Sequence, residues 1–439
     1  MTNKTKIIII ASIAVVVLAV AGWFVYTSLI KKPTADEIPE EAKVTPEEKV
    51  RLELTEEEVE KGTTLEEKIV KIEEDRRLAL EEGEEIEPIE IDEATVKAVI
   101  EDDVMSTTLS PDGNNLYYYD PVRGELYMSD LDGSNQQAIT SANFQNVYDL
   151  EWSPNKDKAV IAFSENDGED KEYAIFDLKT QETVKYDKKF QAVTLSPDQS
   201  QIAYIYKDEE NDISNISVAD PYDTGNYQSL YHYSRSDIKL NWIGEKEVAI
   251  EIPSDEATGY EEGNIQTIVR TDDNSYRTVV GEQYGADSEN GRSPDESKMI
   301  FNQSDVKNPR ELGLYTMDSR GLSEPRYLEI DTLVSKCAWA KDNKTVYCGV
   351  PDFWPDNMVM PNDYREENFI STDAFYKINT ETLAVDLIAS SDYFGDTFDV
   401  HVTDKNSVSS DGKIFYFQNR VDKKTYALNI PQTMIEEKK

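Results

Sequence analysis

The chain has 439 residues, with 88 acidic against 45 basic side chains and a formal charge of −43. That balance argues against a nucleic-acid partner, whose phosphates call for clustered Lys and Arg, and against docking on anionic lipid head groups. Two histidines, His232 and His401, are few for His-dependent catalysis or a His-rich metal site, and two cysteines rule out a zinc site of four thiolates.

Residues Ile7 to Ile30 carry no charged side chain over 24 positions. About 20 apolar residues cross a hydrocarbon core as a helix. Lys4 and Lys6 precede the run, Lys31, Lys32 and Pro33 close it, and Trp23 and Tyr26 sit near its far end, where amphipathic rings favour the interface. We expect an uncleaved, single-pass membrane anchor over residues 1–32. A cleaved signal peptide is the rival, with Ala19-Val20-Ala21 as its cleavage site, but the apolar region is longer than such peptides use. The lysine count is equal on the two sides. The six-residue tail favours a cytoplasmic N-terminus, with everything after Lys32 outside the cytoplasm.

Residues 33–93 hold 24 Asp and Glu against 8 Lys and Arg, and are poor in aromatic residues, so they cannot bury a core of their own. Two helix starts are legible. Thr45-Pro46-Glu47-Glu48 combines a capping threonine with proline at the first helical position, and Thr64-Leu65-Glu66-Glu67 repeats the capping box. Gly62 and Gly83 are the matching stops. Leu65, Ile69, Ile72 and Ala79 form a narrow apolar stripe. A solvated acidic spacer is the plainer outcome, a short coiled coil the other.

From about residue 94 to the end at 439 the texture is short β-rich runs with turn signals. One phrase recurs: LSPDGNNLYYY from Leu109, WSPNKDKAVIAF from Trp152, LSPDQSQIAYIY from Leu195 and RSPDESKMIFN from Arg292. Weaker copies begin at Trp242, Trp339 and Val408. Successive spacings are 43, 43, 47, 50, 47 and 69 residues, which predicts an all-β propeller of seven blades, with six left open because three copies lack Ser-Pro-Asp. Each unit parses as four strands, since one such sheet buries neither face alone and must stack against neighbours. In the second unit strand A ends at Trp152, B is Ala159 to Phe163, C is Tyr173 to Leu178, and D lies near Thr183 to Tyr186. The last unit supplies Ile414 to Phe417 and Thr425 to Leu428 but little for a fourth strand, whereas Thr95 to Ile100 precedes the first unit as an orphan. We expect the orphan to complete the last blade and remove its open edge.

The phrases Ser110-Pro111-Asp112-Gly113, Ser153-Pro154-Asn155, Ser196-Pro197-Asp198 and Ser293-Pro294-Asp295, with the passage from Leu126 to Gly133, resemble the WD-repeat-like units of TolB-type propellers and of the propellers in prolyl-oligopeptidase-type peptidases. The resemblance covers about residues 94–430 and implies a fold. It also implies a propeller that binds proteins or peptides, or gates an attached catalytic domain.

Cys337 and Cys348 flank the turn of the sixth unit and fall opposite each other about its centre between Asp342 and Asn343. A four-residue loop, Lys341 to Lys344, would place them in a non-hydrogen-bonded pair, where a bridge forms most easily; a two-residue turn would not. Outside the cytoplasm a close pair oxidises, so a cross-strand disulfide is expected there, with two buried thiols as the alternative. An insertion from Pro351 to Thr372 follows, with Phe353, Trp354, Met358, Met360, Tyr364 and Phe369 concentrated in it, and it accounts for the long last spacing. It is either a lid or partner contact on the face of the B–C and D–A connections, or a plug packed against the propeller.

Asp130-Leu131-Asp132-Gly133-Ser134-Asn135 has only a superficial likeness to a calcium loop and reads as a turn of the repeat. There is no Gly-x-Ser-x-Gly elbow, no phosphate-binding Gly-rich loop and no paired-His metal motif, and only about ten residues follow the last blade. We therefore expect no catalytic, metal or cofactor site. The sequence points to a membrane-anchored, extracytoplasmic scaffold of the cell envelope, binding an envelope or secreted protein. The alternatives are an envelope hydrolase or lyase with its site in the propeller funnel, and a structural surface-coat component.

Overall fold

The computed structural model describes residues 50–51, 89–90 and 94–431, apart from 141, 165–170, 209–212, 234–237, 252–261, 285–290, 306–307, 356–357, 359 and 366–368. The apolar run Ile7–Ile30 and most of the acidic segment lie outside these residues. Among the described residues no helix is long and apolar enough to cross a membrane. Val50–Arg51, inside the first helix expected from the acidic segment, is instead a two-residue strand paired in parallel with Ile89–Glu90. Val50 and Ile89 are both β-branched, which favours extended backbone.

Within the compact unit Glu93–Thr433, each sequence repeat becomes one antiparallel sheet, and there are seven. We number the blades 1 to 7 and letter their strands A to D. Blade 1 is Met105–Leu109, Asn115–Asp120, Glu125–Asp130 and Gln137–Ala138; blade 2 is Val147–Trp152, Lys158–Phe163, Glu172–Asp177 and Glu182–Lys185. Blade 3 runs from Phe190–Leu195 to Asp223–Tyr233, blade 4 from Lys239–Ile243 to Tyr276–Tyr284, and blade 6 is Cys337–Trp339, Thr345–Pro351, Asp373–Asn379 and Val385–Ala389. The weaker copies in blades 4, 6 and 7 all form A–B hairpins, so the count of six is excluded.

Two departures from a uniform repeat have local causes. Blade 5 is three-stranded (Lys298–Asp305, Asn308–Asp318, Arg326–Tyr327), and its strand A shrinks to the single bridge Arg292 to Met299. In blade 7, strand A pairs Val400 with Asn419 and His401 with Gln418, then resumes only at Val408 opposite Phe415. The residues between bulge out of the sheet, so the long last spacing has two sources: the blade 6 insertion and this bulge.

The Ser-Pro-Asp phrase is structural, and its chemistry is visible in the turn. Ser110 Oγ donates to Asp112 (2.6 Å) and accepts the amide of Asn115 (3.0 Å). Ser196 and Ser293 repeat both bonds. So does Ser409 in the weak seventh copy, where Asp411 stands for the aspartate without the proline. The fourth position of each turn takes a left-handed backbone: Gly113, Lys156, Gln199, Gly244, Glu296, Asn343 and Gly412 all have φ between 55° and 72°. The blades are also tied to each other by indoles. Trp152 Nε1 donates to Ser106 O of blade 1 (2.7 Å), and Trp339 Nε1 to Gly291 O at the start of blade 5 (2.9 Å).

The ring closes as the orphan strand implies. Thr95–Ile100 is strand D of blade 7, with Val96 opposite Leu428 and Thr95 opposite Asn429. Its residues Val99 and Ile100 are buried with Leu109, Leu116 and Tyr416 between blades 7 and 1. The closing strand thus gives blade 7 its fourth strand and covers the interior face of blade 1.

Candidate functional site

Antiparallel blades put the A–B and C–D turns at one end of the ring and the B–C and D–A connections at the other. The strands A of neighbouring blades meet around the axis, as between Met105–Leu109 and Val147–Trp152. A site can therefore lie in the axial channel or on either end.

The blade 7 bulge governs the channel. Lys156 of blade 2 donates to Asp404 (2.9 Å), and Lys405 reaches Glu296 of blade 5 at 3.5 Å. Blades 2 and 5 stand two places from blade 7 in opposite directions, so residues 403–406 bridge the ring at its A–B end. Glu296 also accepts the amide of Gly244 in blade 4 (2.6 Å), and Thr403 donates to Thr107 O of blade 1 (2.9 Å). Both partners of the first pair carry the mark of burial. Burial pulls the Lys156 ammonium down, while Lys156 and nearby donors hold the Asp404 carboxyl below its ordinary value in spite of burial.

Glu151, on strand A of blade 2, accepts from Thr194 of blade 3 (3.2 Å). Its side chain is open to solvent, with Asp149, Asp404 and Lys405 close enough to act on its charge. Desolvation, followed by the charge of Asp149, pushes its carboxyl up to about 7. Among the described residues no group of three or more His, Cys, Asp or Glu is placed to hold a metal ion. The Asp130–Asn135 segment is a turn: Asp130 accepts from Asn135 (2.7 Å) and Asp132 from Ser134 (2.6 Å).

The opposite end of blades 6 and 7 has a different character. Cys337 and Cys348 stand in register on strands A and B of blade 6, with Cα atoms 4.2 Å apart, joined as a disulfide. The loop is the four-residue one: Ala340 N donates to Thr345 O (2.8 Å), which leaves the cysteines in a non-hydrogen-bonded pair. Past Cys348, strand B ends at Pro351 and the insertion begins.

The insertion packs down. Met360 and Tyr364 are buried against Leu312 and Leu333, and Trp354, Met358 and Phe369 are partly buried over them. The short helix Asn362–Arg365 carries Tyr364, which is held in a buried ionic cluster. The ammonium of Lys336 contacts Asp373 and Asp399 at 2.6 Å each and Ser371 at 2.9 Å. Tyr364 donates to Asp399, and Arg420 reaches Asp399 at 3.3 Å and the Tyr364 carbonyl at 2.9 Å. The Tyr364 ring lies under both cations, 4.7 Å from the Lys336 nitrogen and 3.8 Å from the Arg420 carbon. Two cations and two carboxylates cancel. Burial works against the Lys336 charge, but the two carboxylates outweigh it and raise its pKa. Asp399 is lowered by Lys336 in spite of burial, whereas for Asp373 burial prevails and raises it.

Above this anchor an apolar patch remains in solvent. Phe353 is 64% exposed, Ile370 45%, and Tyr393, in the D–A connection to blade 7, 44%. Ser391 donates to Asp352 (2.6 Å), which brings the two loops together. Phe353 stacks edge-on with Phe369, and Tyr393 with Phe394. Phe394 in turn contacts Phe375 and Phe398 of the core. Of the six residues singled out in the insertion, only Phe353 is offered freely to solvent. The sequence did not single out Ile370, Tyr393, Lys336 or Asp399. A lysine immediately before a strand has no sequence signal for burial, and its partners lie 37 and 63 residues away.

No family model and no curated protein matches the chain. Among solved structures, an oligogalacturonate lyase from Vibrio parahaemolyticus is similar over 78% of this chain and 98% of its own, with 12% identity and a TM-score of 0.53. An oligogalacturonate lyase in complex with manganese is similar over 77% and 91%, with 15% identity and a TM-score of 0.50. TolB from Acinetobacter baumannii aligns over 75% and 64%, with 12% identity and a TM-score of 0.34, too distant to argue from. At these identities the likeness is one of fold, and the fold is the β-propeller.

Proposed function

We propose that the protein is a non-catalytic binding propeller of the cell envelope, held by its N-terminal anchor outside the cytoplasm and presenting the B–C end of blades 6 and 7 to a protein partner. The observation that carries this is the exposure of Phe353, Ile370 and Tyr393 on two adjoining loops whose neighbouring rings, Phe369 and Phe394, pack towards the core. A packed loop loses little entropy on binding, which is what a recognition surface needs. Isolated apolar side chains on a surface are ordinary, and three drawn from two adjoining loops support an interaction site. The Cys337–Cys348 bridge fits an oxidising compartment. Cross-linking on intact membranes followed by capture of the full-length chain tests this reading. It predicts one specific protein partner, and exhaustive cross-linking that yields none refutes it.

One observation favours a second reading, catalysis in the channel. A carboxyl poised near 7, as Glu151 is, suits a general base at neutral pH. Two lyase structures share the fold, although the manganese of one has no cluster of candidate ligands here among the described residues. Eliminating activity on acidic oligosaccharides with Glu151→Gln would favour this reading over the first.

A further inference from the structure

The blade 6–7 patch has a charged rim. Asp352, Asp392 and Asp396 are exposed around Phe353 and Tyr393, whereas Arg365 is the exposed cation of these two loops among the described residues. Asp352 is positioned by Ser391, and Asp392 by Ser390 (2.7 Å). An apolar centre within an acidic border selects against anionic surfaces and acidic proteins. A partner bearing Asp or Glu at the border would bury like charges against each other.

We propose that this patch receives a basic, apolar-centred polypeptide segment: one or two aromatic or aliphatic side chains set on Phe353, Ile370 and Tyr393, flanked by Lys or Arg facing Asp392 and Asp396. The proposal rests on the binding role above and adds the chemistry of the partner. The apolar contact supplies affinity, because hot spots are rigid aromatic centres from which water is excluded. The carboxylates supply orientation and association rate more than affinity. The aromatic chain from Tyr393 through Phe394 to Phe398 and Phe375 roots the patch in the core, so the surface is formed before the partner arrives.

The test must separate this from the general attraction of a chain of charge −43 for any cation. Three synthetic peptides serve, read by fluorescence anisotropy against the full-length chain: Lys-Lys-Trp-Leu-Lys-Lys, Lys-Lys-Ser-Ser-Lys-Lys and Glu-Glu-Trp-Leu-Glu-Glu. The first should bind about tenfold or more tighter than either of the others. The pair Phe353→Ser and Tyr393→Ser should erase its preference over the serine peptide while the chain still unfolds in one cooperative transition, because both side chains lie largely at the surface. Asp392→Asn with Asp396→Asn should shrink its preference over the glutamate peptide. Equal binding of the first two peptides, or a preference that survives Phe353→Ser with Tyr393→Ser, overturns the assignment. A partner cross-linked from membranes whose capture is indifferent to that pair upholds the binding role and places it elsewhere.

Discussion

Lys336 and Asp399 are 63 residues apart in sequence, yet the Lys336 ammonium sits 2.6 Å from an Asp399 carboxylate oxygen with neither side chain accessible to solvent. One precedes strand A of blade 6 and the other strand A of blade 7. Their contact joins the two blades beneath the insertion, and Tyr364 binds the insertion to the same carboxylate. Removing one partner of a buried pair leaves an uncompensated charge, which costs about 3–5 kcal/mol. Lys336→Met should therefore lower unfolding stability by that amount and free the amides around Tyr364 to exchange with solvent. Tyr364→Phe removes a single hydrogen bond and should cost about 1–2 kcal/mol. Denaturant unfolding and hydrogen exchange measure both. A Lys336→Met protein within about 1 kcal/mol of the parent would show that the cluster adds nothing net.

How much of this was legible beforehand follows from range in the sequence. The turn phrase is local: Ser110, Asp112 and the Asn115 amide lie within five residues, so the repeat and its seven copies can be read directly. The closing strand is long-range, but Thr95–Ile100 alternates and lacks a neighbour, so counting strands finds its place. The facing of Cys337 and Cys348 is symmetry about one turn. The ionic cluster has no such signature. In a chain with 88 acidic residues, nothing distinguishes Asp399 from its exposed neighbour Asp396. Phe353 and Tyr364 look alike in sequence as apolar residues of one insertion. Packing alone sends one to solvent and the other to the core.

The axial bridge makes a separate claim. The Lys156 side chain is 4% accessible and Asp404 13%, so the pair lies between a surface and a buried ion pair. Asp404→Ala should destabilise by about 3 kcal/mol, chiefly through the stranded Lys156 charge. Lys156→Met in the same chain should restore most of the loss, and a double-mutant cycle measures the coupling. Additive costs would mean that residues 403–406 are held by their backbone contacts instead.

Glu151 makes stability depend on pH in an unusual direction. Its folded value is about 7 against an ordinary 4.5. Below about 4.5 the carboxyl is protonated in both states and contributes nothing. As pH rises towards 7 the unfolded chain gives up its proton first, so the folded state loses stability, and above 7 the loss is complete. Channel solvent screens the effect, which we place at about 1 kcal/mol. Glu151→Gln should accordingly stabilise the protein by about 1 kcal/mol at pH 8 and leave it unchanged at pH 4. Thermal unfolding at the two pH values decides this; a pH-independent difference would mean that Gln changes packing and not charge.

Ring closure depends on one residue without a side chain. Gly133, in the C–D turn of blade 1, has φ of 81°, and a Cβ built on it would stand 1.6 Å from the carbonyl oxygen of Val99 in the closing strand. No side chain fits there, so Gly133→Ala must displace either the turn or the strand. Gly395 supplies the control. Its φ is 75°, and a Cβ there meets nothing within 4 Å, so Gly395→Ala carries backbone strain alone, about 1 kcal/mol. We expect Gly133→Ala to cost about 3 kcal/mol or more and to lift protection from exchange in Thr95–Ile100 while blades 2 to 5 keep theirs. The freed strand edge of Thr425–Asn429 should then promote self-association at high concentration. Equal costs for the two alanine variants would show that Val99 yields without opening the ring, and that closure is carried by the strand pairing rather than by its fit against blade 1.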